Sequence, residues 1–275
     1  METYDKPEER PIVWVKKYSL YDFFAQTFAL SEIEFKKLFR DPTELLTRAV
    51  QPILWLTIFG NVFSRVRAVP TGNLNYLSFM SPGILAQSIL FSAIFFGIAI
   101  IWEKDLGVVH KLLVSPTSRM ALVLAKAVSS GFRGLVQAVI IYIVAALMGV
   151  ELNLHPLSIF GVIVSVCLGS AIFSTFSLII ACLVKTRERF MGIGQVLTMP
   201  LFFASNAIYP IEMMPKWLQV VSQINPMSYL VDSLRALMIV GGESHFGITH
   251  DFEVLFLVFA VMLFIASKLY ATIVQ

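Results

Sequence analysis

The segment from Trp102 to Lys126, WEKDLGVVHKLLVSPTSRMALVLAK, places charged side chains between two long apolar runs. If residues 102–114 form a helix, its large apolar side chains recur at the i, i+4, i+7, i+11 spacing that puts them on one face. Acidic and basic residues share the remaining surface, which disfavours simple attraction to anionic lipid. We therefore expect this amphipathic helix to bind a groove of a protein partner. A passive connector at the membrane interface is the alternative. The apolar face consists of Trp102, Leu106, Val109 and Leu113.

Motifs for catalysis, metal binding or nucleotide binding do not occur in the sequence. There is no phosphate-binding G-x-x-x-x-G-K-[ST] loop, and there is no H-E-x-x-H, C-x-x-C or G-x-S-x-G pattern. Cys167 and Cys182 both lie within one apolar run, so we interpret them as small buried side chains rather than metal ligands. The sequence therefore predicts no catalytic site and no metal site, and it gives no indication of a nucleic-acid partner.

Long apolar runs dominate the 275-residue chain, in which 57% of residues are hydrophobic and 14% are charged. A helix needs about 20 apolar residues to cross the roughly 30 Å core of a bilayer. We therefore predict an all-α polytopic membrane protein, with an N-terminal region at 1–44 and one six-span domain at 45–275. The predicted transmembrane helices are 45–64, 79–101, 127–149, 157–184, 190–211 and 252–271.

The distribution of lysine and arginine orients the predicted spans. Fifteen of the 21 Lys and Arg residues flank one set of span ends, and four lie in the alternate segments. The basic set includes the N-terminal region, the 102–126 segment and the loop KTRER at 185–189. Because basic residues concentrate on the cytoplasmic side, we predict a multi-pass protein of the cytoplasmic membrane with both termini and the 102–126 segment in the cytoplasm.

Ionisable groups are scarce within the predicted spans. No Asp or Glu lies in the interior of any span, which disfavours an ion-coupled carrier because such proteins usually need ionisable groups at depth. The candidates are basic: Arg48 and Lys126 near the cytoplasmic face, and Arg133 deeper in the third span. Arg133 can bind an anionic substrate group. The alternative is that it belongs to cytosolic turns of a long helix or extends to the interface.

Residues 31–40 are predicted to form a short interfacial helix on the inner leaflet. Ser31 followed three residues later by Glu34 is a capping-box pattern, and apolar and basic side chains alternate after it. A cytosolic helix docked on protein is the alternative. Asp41, as an N-cap, and Pro42, at the first helical position, then begin the first span.

Between the fifth and sixth predicted spans the chain contains two short apolar pieces, each opened by a proline and separated by Asn225-Pro226. Pieces of roughly 8 to 13 residues are too short to span a bilayer and suit re-entrant or interfacial helices. We predict two short outer re-entrant helices that form a lid; a surface helical hairpin is the alternative. Asp232 and Arg235 lie three residues apart on one helix face, where they can form an ion pair.

Small residues recur at four-residue spacing in the fourth predicted span. They are Gly161, Ser165 and Gly169. A stripe of this kind lets another helix approach closely, so we expect it to serve helix packing.

Two blocks of the sequence resemble the permeases of ABC-2 type ATP-binding-cassette exporters. In the first, the 102–126 segment, an acidic residue, a glycine and LLVSP-x-SR precede the third span. The second, PLFFASNAIYPIEMMPKWLQVVSQINPMSYLVDSLRALM at 200–238, contains P-L-F-F-x-S, Y/F-P, P-x-W-L and N-P-x-[ST]-Y-x-x-D-x-L-R in order. With the six-span plan, the resemblance covers nearly the whole chain.

The resemblance implies that two copies of this chain pair with two separate ATPase subunits. Those subunits bind ATP and Mg and power export, so this chain carries no cofactor of its own. The 102–114 helix is then the cytoplasmic coupling helix, seated in a cleft of the ATPase and flanked by the 31–40 helix. The residues assigned to coupling on this basis are Glu103, Lys104, Asp105, Leu106, Gly107 and His110.

Polar and aromatic residues of the first, second and fifth predicted spans are predicted to line a substrate path, and residues of the outer segment to form an outer gate. Aromatic surface with a few amides suits an amphiphilic substrate, and Pro200 frees backbone groups that need partners or water. The alternative is that these polar groups only bond neighbouring helices. The predicted path residues are Thr57, Asn61, Gln87, Ser92, Gln195, Pro200, Phe202, Phe203, Ser205 and Asn206, and the predicted gate residues are Tyr209, Pro215, Trp217, Asn225, Pro226 and Tyr229.

The stretch around the start of the first span, FKKLFRDPTELLTRAVQPILW at 35–55, distinguishes branches within the family. It resembles members that export drugs, lipids or lipo-oligosaccharides more than members that export long polysaccharides, an analogy within one fold. A polysaccharide or glycolipid exporter permease is the alternative within the family. A membrane scaffold that docks a cytoplasmic partner without transport is the alternative from another class.

Overall fold

The computed structural model describes residues 20–40, 42–66, 69–72, 74–107, 118–184 and 186–270, with side chains described outside 38–40, 42–46 and 66. Apart from one isolated β-bridge between Leu152 and Ile239, the regular structure described is helical. The α-helices are α1 (Leu20–Arg40), α2 (Pro42–Leu54), α3 (Gly60–Val66), α4 (Tyr76–Asp105), α5 (Arg119–Leu147), α6 (Pro156–Leu183), α7 (Arg187–Phe203), α8 (Lys216–Ile224), α9 (Pro226–Met238) and α10 (Ile248–Leu269).

Four of the described helices are long and apolar enough to cross a membrane: α4, α5, α6 and α10. They correspond to the second, third, fourth and sixth predicted spans. The first predicted span passes through α2, a π-helical turn at Trp55–Phe59 and α3. The backbone hydrogen bonds therefore change from the i→i+4 to the i→i+5 pattern within this run.

The fifth predicted span, 190–211, is wrong as one continuous helix. α7 ends at Phe203 after 17 residues, a length of about 25 Å at the α-helical rise. The Ser205 backbone N–H and its hydroxyl both donate to the Phe202 carbonyl, at 3.2 and 2.7 Å, which closes the last turn. The chain then continues through turns to a 3₁₀ turn at Ile211–Met213.

The short helix predicted at 31–40 is the second half of α1, which begins eleven residues earlier at Leu20. Ser31 lies in its interior and donates its hydroxyl hydrogen to the Thr27 carbonyl at 2.7 Å, so the predicted capping box is wrong. The upstream residues continue the helix because α1 packs along α5. In this contact the rings of Phe35 and Phe132 have centroids 4.2 Å apart.

The ends of the long helices form two separate groups of contacts. α4 and α5 are antiparallel, because Glu103 near the end of α4 binds Lys126 near the start of α5. At the other end, the Tyr76 hydroxyl donates to the Ile208 carbonyl at 3.2 Å, and Leu152 pairs with Ile239. We call the first group, which includes α1, the α1 end, and the second, which includes α8 and α9, the α9 end.

α6 packs against α4, α5, α9 and α10, and its small residues lie beneath α9. A Cβ built on Gly169 would lie 2.5 Å from Leu230 Cδ2, and one on Gly161 would lie 2.9 Å from Leu237 Cδ1. Ser165, between them, is fully buried. Leu230 and Leu237 of α9 therefore pack against α6 at the positions where α6 has glycine in place of a larger side chain.

Gly83 of α4 provides a direct test of close packing at the α9 end. A Cβ at this position would lie 2.3 Å from the Ala207 carbonyl oxygen and 2.7 Å from its Cα. Because backbone would have to move, we expect Gly83→Ala to lower the free energy of unfolding by about 1–3 kcal/mol. The control is Gly192→Ala in α7, where nothing lies within 4 Å and the higher helix propensity of alanine favours the folded state by about 1 kcal/mol. Thermal unfolding in detergent compares the variants, and a Gly83→Ala protein as stable as the Gly192→Ala protein would contradict this packing.

Candidate functional site

Four charged side chains from three helices form an ion-pair cluster at the α1 end. Glu103 of α4 accepts hydrogen bonds from Lys126 of α5 at 2.7 Å and from Lys37 of α1 at 2.8 Å. Glu34 of α1 lies 3.1 Å from the Lys37 ammonium and 3.5 Å from the Lys126 ammonium. This charged cluster therefore ties α1 to the adjoining ends of α4 and α5.

The charged cluster is largely buried, which distinguishes it from a solvent-exposed ion pair. The Lys126 side chain is 7% exposed and the Glu103 side chain 15% exposed, so each needs the opposite charge. Burial alone lowers the pKa of Lys37, but the hydrogen bond and charge of Glu103, with those of Glu34, outweigh it and hold that pKa above its usual value. Glu103, which the resemblance assigned to contact with an ATPase, directs both carboxylate oxygens to lysines of its own chain.

The described part of the predicted 102–114 helix is a helix end followed by a turn. Residues 102–105 form the last turn of α4, and the Gly107 N–H donates to the Lys104 carbonyl at 2.9 Å. Gly107 has φ +72°, in the left-handed region that ends helices. A helix that runs unbroken from 102 through 107 is therefore wrong. The remainder of the predicted helix, including His110, lies outside the described residues.

Arg187, at the start of α7, holds the same end of α4 from the other side. Its guanidinium donates to the Asp105 carboxylate, with 2.6 Å between Nη2 and Oδ2. The guanidinium also lies 3.8 Å from the centroid of the Trp102 ring, a cation–π geometry. Trp102 and Asp105 are therefore engaged within the chain, whereas the Leu106 side chain is 72% exposed.

A buried polar cluster occupies the α9 end. Asp232 accepts hydrogen bonds from the Asn206 amide at 2.9 Å and the Phe246 N–H at 3.0 Å, and from the Ser244 hydroxyl at 3.1 Å. The predicted ion pair is confirmed, because Arg235 Nη1 lies 3.4 Å from Asp232 Oδ1. Asp232 thus joins α9 to the loop after α7 and to the loop before α10.

Arg235 is held on three sides. Besides its pair with Asp232, it donates to the Asn206 carbonyl at 2.6 Å and lies 3.9 Å from the centroid of the Phe79 ring. Burial lowers the pKa of Arg235 to about 10, and the charges of Asp232 and Glu212 oppose that decrease. The guanidinium therefore stays charged at neutral pH and needs its carboxylate partner.

The predicted gate residues lie around this cluster in different roles. Asn225 caps α9 by accepting from the Met227 N–H at 3.0 Å, and its amide donates to the Leu201 carbonyl of α7 at 2.7 Å. The Tyr229 hydroxyl donates to the Gln223 carbonyl at 2.6 Å. The others are Pro226, the first residue of α9; Pro215, which precedes α8; Trp217, which is exposed; and Tyr209, whose hydroxyl donates to the Phe203 carbonyl. That these helices form an outer gate stays a prediction.

The predicted path residues divide into two groups. One group is buried within the chain: Gln87, Ser92, Phe202, Ser205 and Asn206. The other lies on the outward surfaces of the π turn, α3 and α7 and is exposed or half-buried: Thr57, Asn61, Gln195, Pro200 and Phe203. Asn206 and Ser205 bond the protein itself, as the alternative interpretation expected of such groups. That the residues together line a path stays a prediction.

A cavity of about 290 Å³ lies between α2 and α4. Arg48 lines it, donating from Nη1 to the Ser92 carbonyl at 3.0 Å, with its guanidinium 5.1 Å from the centroid of the Phe95 ring. Arg133 instead lies buried over the Phe96 ring at 4.8 Å. Arg48 and Arg133, two of the three basic residues singled out from the sequence, thus differ in access. The cavity is lined by Thr47, Arg48, Gln51, Ser88, Phe91, Ser92 and Phe95.

Comparison with known proteins identifies the family. The model for the ABC-2 type transporter family matches residues 25–239. A transport permease, ycf38, of Cyanophora paradoxa is 31% identical over 218 residues, which are 78% of this chain and 74% of the relative. The chain therefore belongs to the ABC-2 type transporter family, and the resemblance read from the two sequence blocks is confirmed.

Two bacterial relatives extend the comparison. The daunorubicin resistance ABC transporter permease protein DrrB1 of Streptomyces coeruleorubidus is 24% identical over 198 residues, 72% of this chain and 69% of the relative. The inner membrane transport permease YadH of Escherichia coli is 22% identical over 216 residues, 75% of this chain and 81% of the relative. The chain is thus the multi-pass membrane permease component of an ABC-2 transporter, a class of permease that works with ABC ATPase subunits.

Proposed function

We propose that this chain is the transmembrane subunit of an ATP-driven exporter that moves an amphiphilic substrate across the cytoplasmic membrane. Two copies of the chain form the path, and two separate ATPase subunits bind ATP and Mg and supply the energy. The observation that carries the proposal is the arrangement of helices and exposed side chains at the α1 end. There, three helices are fixed by the charged cluster, and the exposed apolar side chain of Leu106 lies beside them, a surface suited to a partner protein.

Six spans place both ends of the chain in the cytoplasm. The helical run from Pro42 to Val66, which the π turn does not end, contains 25 residues, about 37 Å at the α-helical rise. This length supports a first span, since a bilayer core is roughly 30 Å thick. α7 is shorter, and the turns after Phe203, whose Asn206 bonds Asp232 and Arg235 of α9, complete its crossing.

A second copy of the chain explains the surface of α7. Its buried side is a single stripe of Phe190, Gly194, Thr198 and Phe202. Gln195 and Val196 lie on the exposed remainder. A polar amide facing lipid is unfavourable. The exposure of Gln195 therefore supports a second copy that covers this surface, with Gln195 at the shared path.

The amphiphilic substrate class is supported by the aromatic surface beside these polar groups. Trp55 and Phe59 stack with ring centroids 4.4 Å apart, and Trp55 meets Phe202 of α7 at 6.2 Å. A relative is a permease of daunorubicin resistance, which supports an aromatic or amphiphilic cargo. Aromatic surfaces with few polar groups suit such ligands.

Leu106→Asp tests the proposal at the surface where a partner would bind. The side chain is 72% exposed, so we expect the fold to persist. An aspartate buried in the interface with the ATPase should weaken binding of the ATPase at least tenfold, which corresponds to roughly 1.4 kcal/mol or more. The effect of the chain on ATP hydrolysis should fall accordingly. The measurement is ATP hydrolysis by the cognate ATPase reconstituted in liposomes with each variant.

The matched control is Leu154→Asp, a leucine 66% exposed in the loop between α5 and α6 at the α9 end. It should leave hydrolysis unchanged from that with the native chain. If the native chain neither binds nor alters any ATPase, the exporter proposal is wrong, and a membrane scaffold becomes the better description.

A further inference from the structure

Ser244, in the loop before α10, lies between two buried carboxyl groups. Its hydroxyl oxygen is 3.1 Å from Asp232 Oδ2 of α9 and 2.8 Å from Asp251 Oδ2 of α10. Both aspartates are fully buried. The same oxygen accepts a hydrogen bond from the Gly247 N–H, 2.8 Å away. Three groups therefore meet at a single hydroxyl, which joins α9 to the start of α10.

This hydroxyl has too few hydrogens to serve two ionised carboxylates. A serine hydroxyl has one hydrogen to donate and two lone pairs that accept. The Gly247 N–H occupies one lone pair, which leaves one hydrogen and one lone pair for Asp232 and Asp251. Because an ionised carboxylate can only accept, the hydroxyl satisfies one of the two aspartates in that form. The other aspartate completes the arrangement only if it carries a hydrogen of its own.

The surroundings of the two aspartates identify Asp251 as the one that carries this hydrogen. Asp232 pairs with Arg235 and accepts from the Phe246 N–H, and both contacts favour its ionised form. Asp251 Oδ1, by contrast, is buried without a hydrogen-bond donor from any described residue. A carboxyl group buried in this way is far less costly neutral than charged. The negative charge of Asp232 across the hydroxyl opposes a second charge as well.

The elements that pack against α10 bring no further cation to Asp251. α9, α6 and α5 are its helical neighbours. α6 contains no Asp, Glu, Lys, Arg or His, and the last charged residue of α5, Arg133, precedes the end of that helix by 14 residues, about 21 Å. The titratable groups of α9, of the loop, of the first turns of α10 and of the last turns of α5 are Asp232, Arg235, Tyr229, Glu243, His245, His250, Glu253 and Tyr142.

We propose that Asp251 and Ser244 form a proton-binding site at the α9 end. At neutral pH the Asp251 carboxyl is protonated and donates from Oδ2 to the Ser244 oxygen, while the Ser244 hydroxyl donates to Asp232 Oδ2. Each of these hydrogens then has an acceptor, and Asp251 Oδ1 is a neutral carbonyl oxygen rather than part of a buried charge. The bound proton thus links α9 to α10 through the loop between them.

The position of the site allows the proton to exchange with solvent. Asp251 immediately precedes the sixth predicted span, 252–271. Ser244 is half-buried, and with Asp232 it lines a cavity of about 350 Å³ at the α9 end. Release of the proton leaves two buried negative charges that compete for one hydroxyl hydrogen. We therefore expect the contact between α9 and α10 to loosen at alkaline pH.

Infrared spectroscopy of the purified full-length protein tests for the proton directly. In a detergent without carbonyl groups, the C=O stretch of a protonated carboxylic acid is separate from the bands of carboxylates and amides. We expect this band in the native protein at neutral pH, where freely exposed Asp and Glu are ionised, and its loss in Asp251→Asn. Ser244→Ala should shift the band, because the carboxyl O–H loses its acceptor. The matched control is Glu253→Gln, two residues along α10 with a side chain 77% exposed, which should leave the band unchanged.

Absence of the band from the native protein at neutral pH would overturn the proposal, and so would an unchanged band in Asp251→Asn. If Asp251→Asn does not fold, Ser244→Ala decides, since a band at the native frequency would show that the carboxyl does not donate to Ser244. No ATPase takes part in this measurement, so either outcome leaves the export function to its own test.

Hydrogen exchange of the amides of residues 244–251 tests the link between the proton and the helix contact. Asparagine at 251 keeps a donor toward Ser244 and stays uncharged, so it reproduces the protonated form at every pH. We expect equal exchange in the native protein and Asp251→Asn at about pH 6, and exchange several-fold faster in the native protein at about pH 9, a range that includes the titration of buried carboxyl groups. Equal exchange at the higher pH, after the infrared band has disappeared, would show that the proton does not hold α9 to α10.

Discussion

Asp232→Asn is expected to destabilise the protein by about 3–5 kcal/mol, because it leaves a buried guanidinium without its carboxylate. Arg235 is 5% exposed, so bulk water solvates little of its charge. The asparagine would also replace one carboxylate oxygen with an NH2 donor, which would face either the Phe246 N–H or the Asn206 amide, both of them donors. The loops that Asp232 joins to α9 would therefore loosen together.

Thermal unfolding in detergent measures this effect against two controls. Glu212→Gln removes an exposed pair with His245, whose atoms lie 3.1 Å apart, and we expect a change below about 1 kcal/mol. Asp251→Asn lies in the same cluster, but its carboxylate contacts the Ser244 hydroxyl at 2.8 Å and no cation in the described chain, so its effect should be the smaller. A destabilisation of Asp251→Asn equal to that of Asp232→Asn would contradict the central position of Asp232.

Glu103→Gln is expected to lower stability by about 3 kcal/mol, since it leaves Lys126 buried with only the more distant Glu34. It should also release α1, because Lys37 of that helix loses its closest charge partner, 2.8 Å away. Hydrogen exchange of the α1 amides should accelerate, with local openings becoming more frequent than in the native protein. Stimulation of the ATPase should fall with it if α1 and α4 act as one surface.

Asp105→Asn is the matched control for α1 exchange. It lies two residues further along the same helix end and pairs with Arg187 at 2.6 Å, but the two side chains are 46% and 36% exposed. Such partly exposed pairs contribute about 1 kcal/mol or less, and none of its described partners is in α1. If α1 exchanges no faster in Glu103→Gln than in Asp105→Asn, the charged cluster does not hold α1.

The predictable parts of the site were those set by local spacing. The Asp232–Arg235 pair follows from the two residues being three apart on one helix, and the break at Asn225-Pro226 follows from the restrictions that proline imposes. Glu34 and Lys37 show the same three-residue spacing, a signal that would have suggested one face of α1. The Ser31 and Glu34 pattern predicts a capping box instead, because such a pattern fits both the start and the interior of a helix.

Partners far apart in the chain required the tertiary structure. Lys37 and Glu103 are 66 residues apart, and Arg187 and Asp105 are 82 apart. Many other carboxylates and basic groups near the same span ends could have paired equally well on charge alone. Which of these two arginines lines a cavity, Arg48 or Arg133, is likewise a matter of neighbouring helices. Arg48 lines the cavity beside α4, whereas Arg133 is buried against the Phe96 ring.

Apolar length and motif order are properties of consecutive residues, so the sequence alone predicts a helical, multi-pass membrane permease of the ABC-2 family. The start of α1 at Leu20, the end of α7 at Phe203 and the binding of Glu103 to lysines of its own chain required the folded structure. The physical reason is that helix ends and buried charges are fixed by what packs against them. A residue such as Ser31 or Glu103 is compatible with several local structures until its neighbours in space select one.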